Sequence, residues 1–127
     1  MSRPMGYELR VERQSPPVHA ELTGAALADA GFGLRGSQEA GEIVARHGDM
    51  VFAVAVWNGG LTGRPTSDWH VAQLARLAGL LGGRVVGEDG EVYGIRNGVV
   101  EQVSGASTYE FGKLDEILAA GPADWSQ

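Results

Sequence analysis

Hydrophobic and polar residues alternate strictly from Tyr7 to Arg13, with Tyr7, Leu9 and Val11 on one side and charges on the other. That period of two predicts a half-buried strand. Ser15-Pro-Pro then marks a helix start, because Ser15 can cap and proline is tolerated in the first turn. The spacing predicts a helix from about Pro17 to Ala30 that buries Val18, Leu22, Ala26 and Leu27 and stops at Gly31. Two short strands are expected over Leu34–Glu39 and Glu42–Arg46. His47-Gly48-Asp49 reads as a turn into the apolar run Met50–Trp57, the central strand. Simple alternation assigns Phe52, Val54 and Val56 to one face of that strand and Ala53, Ala55 and Trp57 to the other. With helices on the first face, the second needs a cover, either the C-terminal tail, 121–127, or another protein. The tail is the expectation.

Asn58 to Thr66 reads as a glycine-rich loop. Thr66 or Ser67 caps the next helix, with Asp68 favourably placed in its first turn. Val71, Leu74, Leu77, Ala78 and Leu81 form its apolar stripe, and Gly82-Gly83 ends it. Strands are expected over Arg84–Gly87 and Glu91–Arg96, and Asn97-Gly98 makes a tight turn into Val99–Val103. Ser104–Thr108 reads as a loop, and Lys113–Ala120 as a short terminal helix carrying Leu114, Ile117 and Leu118 before Gly121-Pro122. The order predicts one α+β domain over 1–127, with a flexible N-terminus at 1–5. Its sheet is mostly antiparallel, with two main helices on one face, a split β-α-β-like start, C-terminal hairpins and a short terminal helix.

Composition narrows the function. With 43% hydrophobic and only 20% charged residues the chain folds into a core instead of staying disordered. A net charge of −6 argues against a nucleic-acid-binding face and favours basic partners. There is no cysteine, which removes disulfides, thiol catalysis and thiolate metal sites. No apolar run approaches a membrane span or a signal-peptide core, so the expected place of action is the cytoplasm, with no membrane partner.

Candidate chemistry is sparse. Gly31-Phe-Gly-Leu-Arg-Gly36 has the letters of a dinucleotide fingerprint, yet it follows a helix and opens none. Gly59-Gly-Leu-Thr-Gly-Arg64 precedes a helix N-terminus that can attract an anion, but it lacks the ending of a phosphate-binding loop. His19, His47 and His70 fall on different elements without ligand spacing, and each is expected at the surface or its boundary. No serine lies in a nucleophile elbow. We therefore expect no enzyme, cofactor or metal site. Two other classes stay in view: a small-molecule-binding or regulatory domain using the Asn58–Thr66 loop and the cleft beneath it, and an enzyme with scattered catalytic residues.

One loop stands out. Glu88, Asp89 and Glu91 crowd a tight turn around Gly90 with no lysine near them, which suits docking of something basic. Arg64, Asp68 and Trp69 mark a second candidate contact region, and Trp69, in a first helical turn, is the tryptophan expected to be partly exposed. Trp57 is assigned to the core.

Met5-Gly-Tyr-Glu-Leu-Arg-Val-Glu-Arg13, the helix Trp69–Leu81 and Gly82-Gly-Arg-Val-Val-Gly-Glu-Asp-Gly-Glu-Val-Tyr93 together resemble small bacterial immunity proteins of polymorphic-toxin and contact-dependent antagonism systems. The resemblance covers the framework from about residue 6 to 93. It implies a non-enzymatic cytoplasmic protein that binds and neutralises a cognate toxin by occlusion. Such proteins are often acidic, complementing toxins that are basic because they attack nucleic acids. On that reading Glu88, Asp89, Glu91, Arg64, Asp68 and Trp69 form the partner-binding set.

Overall fold

The computed structural model describes residues 7–37 and 39–125, so the flexible start expected at 1–5 lies outside the described residues. The alternation near the N-terminus forms β1 (Leu9–Glu12), with Leu9 and Val11 buried. The helix expected over Pro17–Ala30 is instead two short ones, α1 (His19–Leu22) and α2 (Ala25–Asp29). Gly24, a poor helix former, takes an extended conformation between them, and this resets the helical phase. Leu22 and Leu27 are buried as expected, whereas Val18 and Ala26 are exposed. Ser15 does not cap. The first turn starts at Val18, whose N–H donates to the Glu21 carboxylate at 3.0 Å.

Two antiparallel meanders follow. The first is β2 (Phe32–Gly36), β3 (Gly41–His47), β4 (Met50–Trp57) and β5 (Leu61–Gly63). Between the meanders lies α3 (Asp68–Leu80), capped by the Ser67 hydroxyl accepting from the His70 N–H at 3.0 Å. The second meander is β6 (Arg84–Val86), β7 (Val92–Arg96), β8 (Val99–Ser104) and β9 (Ser107–Lys113), and α4 (Leu114–Ala120) closes the chain. Two strands were not expected. β5 lies inside the anticipated loop, and β9 begins inside the anticipated Ser104–Thr108 loop, which is a tight turn at Gly105.

The nine strands form one sheet in the order β2-β3-β4-β5-β1-β6-β7-β8-β9, antiparallel at every pairing. β1 is the seam between the meanders. β5, α3 and β6 make a split β-α-β unit with β1 inserted between its strands. The helices share one face: Leu22, Leu27, Leu74, Leu77 and Ile117 enter the same core as Leu9, Leu61, Val85 and Tyr93. This is a single α+β domain. No helix among the described residues is long and apolar enough to cross a membrane.

The faces of β4 differ from the simple alternation. Ile43 stands opposite Ala55 and Val44 opposite Ala53, so Val54 is the extra residue of a β-bulge. The bulge switches the parity of the strand. Phe52, Val54, Ala55 and Trp57 all turn toward the helices, while Ala53 and Val56 are exposed on the opposite face. Ala55 and Trp57 therefore need no cover from the tail. The tail packs at the start of α3: the Trp125 N–H donates to the Thr66 carbonyl and its indole N–H to the Asp68 carboxylate, both at 2.8 Å.

Candidate functional site

The acidic turn between β6 and β7 is built around a buried carboxylate. Glu91 is only 5% exposed, which corrects its assignment to an exposed docking loop. It shares the inward parity of Tyr93 on β7, and the Tyr7 and Tyr93 hydroxyls both donate to its Oε2, the latter at 2.9 Å. Its Oε1 accepts the Asp89 N–H at 3.0 Å. The Tyr7 hydroxyl also accepts the Glu88 N–H at 3.1 Å. Gly87 lies directly against this carboxylate, where a β-carbon would collide with it. The inward glutamate thus fixes the turn that presents Glu88 and Asp89 to solvent.

The second predicted region divides in the same way. Trp69 is 2% exposed, not partly exposed as expected; it packs edge-on against Phe52 and His47 at 5.5 and 6.3 Å between ring centroids. Asp68 is half-buried beneath Trp125. Arg64 is exposed and lies 3.7 Å from the Glu8 carboxylate, while the Glu8 N–H donates to Glu88 at 3.0 Å. Glu8 therefore joins Arg64 to the acidic turn at one end of the sheet. The structure brings Arg64, Glu88 and Asp89 together and takes Glu91 and Trp69 into the interior.

Between this rim and β4 runs a groove of about 370 Å³, walled by Ala53–Val56, Thr62 and Gly63. The bulge holds it open, and His70 reaches in from the first turn of α3 with Nε2 2.6 Å from the Val54 carbonyl oxygen. Nε2 must carry the proton, since a carbonyl only accepts. Burial pushes the His70 imidazole below its ordinary value, against a smaller opposite effect of the bond to Val54. Gly63 admits no side chain, because a β-carbon there would lie 2.8 Å from the Val54 oxygen. A larger groove of about 510 Å³ lies between α3 and β6–β7. Its charged residues are already engaged, Arg76 by Gln73 and the Ala30 carbonyl, and Arg84 by Glu12.

Charge is distributed unevenly. On the face opposite the helices, arginines neutralise the carboxylates: Arg10 on the same strand and Arg84 across the sheet flank Glu12 at 3.2 and 3.1 Å, Arg35 meets Glu42 at 3.0 Å and Arg96 meets Glu101 at 3.1 Å. The hydrogen bonds from Arg84 and Arg10 hold the Glu12 carboxyl below its usual range. Among the described residues, no ion pair involves Glu88, Asp89, Glu110, Asp115 or Glu116. Unmatched carboxylates thus stand at the acidic turn and along the β9–α4 margin, and singly at Asp29, Glu39 and Asp49 on the first half of the fold. Tyr109 on β9, 59% exposed, is the aromatic that stands out, while Trp57 and Trp69 are core residues. Among the described residues no three His, Asp or Glu side chains gather in a geometry that could hold a metal ion.

No family model matches this chain, and neither does any curated protein or solved structure.

Proposed function

We propose that this protein is a non-enzymatic immunity protein, which binds a basic cognate toxin in the cytoplasm and blocks it by occlusion. The observation that carries this reading is the pair of exposed, unmatched carboxylates Glu88 and Asp89, held in place by the buried Glu91 beside Glu8 and Arg64. Rigid presentation lowers the ordering cost of docking, and unmatched charge speeds encounter with a basic partner. Glu88, Asp89 and Arg64 remain in the partner-binding set, and Glu91, Asp68 and Trp69 support it from within.

The test is growth rescue. Co-expression of this chain with the toxin domain encoded beside its gene restores growth, and the double variant Glu88→Lys, Asp89→Lys loses much of that protection while melting at an unchanged temperature. An adjacent gene that encodes no toxin, or a toxin that kills equally with and without the wild-type chain, sinks the reading.

The groove favours a second reading, a small-molecule-binding or regulatory domain. Its volume falls in the range of ligand sites, with apolar walls and a few polar groups. A metabolite that raises the melting temperature of the wild type but not of Ala53→Trp, which fills the groove from an exposed position, with no toxin in the gene neighbourhood, would establish it.

A further inference from the structure

Resting on the immunity reading, we infer that β9 is the strand-addition edge of this protein: an extended, basic segment of the partner pairs with it as a tenth strand, with Tyr109 as its aromatic anchor. β9 ends the sheet order, so among the described residues no strand lies beside one side of its main chain. It is seven residues long, against five for β2 at the other edge, and β2 carries two glycines and no exposed aromatic. Tyr109 is 59% exposed and its ring rests edge-on against the half-buried Phe111 at 4.9 Å. Tyrosine in that setting combines large contact area with small ordering cost.

Charge decides which occupant fits. Glu110 lies at the centre of β9, so full antiparallel overlap with a second copy sets Glu110 against Glu110. Like charges directly opposite one another are destabilising. Glu110 makes no ion pair among the described residues, and exposed Asp115 and Glu116 follow it, with Lys113 the one cation between them. A strand carrying lysine or arginine on alternate residues meets Glu110 in register, held by main-chain hydrogen bonds, and Asp115 and Glu116 at the start of α4 add attraction at longer range.

The probe is a fluorescein-labelled peptide of alternating lysine and valine, matched to β9 in length. Fluorescence anisotropy on the full chain gives saturable binding at low salt. Methylating alternate backbone nitrogens of the peptide weakens it by about tenfold or more, as do Tyr109→Ala and Glu110→Lys in the protein. Amide shifts confined to Ser107–Lys113 locate it. Equal binding of the methylated peptide, tight binding of a glutamate–valine peptide, or shifts on β2 overturn the proposal, as does a concentration-dependent dimer that Tyr109→Ala abolishes. This test is independent of growth rescue. Variants Tyr109→Ala and Glu110→Lys that rescue as fully as wild type condemn the β9 edge alone, whereas wild type that fails to rescue condemns the immunity reading itself.

Discussion

At the scale of single residues, the turn shows how one buried group decides what its neighbours can do. Glu88, Asp89 and Glu91 read as three equivalent acids along the chain. Parity was the available signal: Glu91 is two residues from Tyr93, on the inward side of β7, while Glu88 and Asp89 precede the strand. Gly87→Ala, which drives a β-carbon into the Glu91 carboxylate, should lower stability by roughly 1–3 kcal/mol in urea unfolding. In a Glu91→Ala background the same change should cost markedly less, so the two effects should couple; simple additivity would refute the contact. His70 gives a pH dependence. Its folded pKa is depressed, so the unfolded chain takes up a proton near pH 6.5 before the folded one does. Its contribution to stability is therefore full above pH 6.5 and is lost as pH falls through the folded value. The charged groups that line the same groove are Glu8 and Arg64. His70→Gln should flatten the drop in melting temperature between about pH 7 and about pH 5. At lower pH the arginine-bonded Glu12 and Glu21 act in the same direction, because both sit below their usual value of 4.5 and lose their bonds once protonated.

At the scale of elements, strong periodicity was legible and partner-dependent features were not. β4 has the expected bounds though not the expected faces, the stripe of α3 matches its pattern, and Asn97-Gly98 forms its turn with φ of 53° and 76°. β5 is too short to show a period. β9 did carry one, Tyr109 and Phe111 alternating with Thr108 and Glu110, but the glycine and charges around it obscured it. The bulge at Val54 depends on the register against β3, which nothing within Met50–Trp57 encodes. Trp69 was readable by helical geometry: Ala72 and Leu77, three and eight positions on, share its buried side. Its ring clamps the first turn of α3 onto β4 through Phe52. Trp69→Ala should therefore cost about 3–5 kcal/mol and loosen the groove, with amide exchange rising first at the start of α3. A loss confined to the tail would show that Trp125 makes that clamp instead.

At the scale of the whole molecule, strand order lay beyond local pattern, since inserting β1 between β5 and β6 joins segments far apart in the chain, Val11 to Leu61 and Arg10 to Val86. That insertion has a functional consequence. It carries Glu8 to the end of the sheet where Arg64 and the β6–β7 turn meet, while the second meander carries Tyr109 out to the margin. The turn between β8 and β9 lies at the same end as Glu88 and Asp89, so one partner of ordinary interface size can touch both. Their roles should separate kinetically. Exposed, unmatched carboxylates act at long range, so Glu88→Lys with Asp89→Lys should slow association and reduce its dependence on salt, leaving dissociation nearly unchanged. Tyr109 acts only after contact, so Tyr109→Ala should accelerate dissociation about tenfold or more and leave association close to wild type. Surface plasmon resonance against the purified toxin domain reads both rates at once. If both variants changed only dissociation, the acidic turn would be part of the desolvated centre of the interface, and steering would fall to Asp115 and Glu116 beside β9.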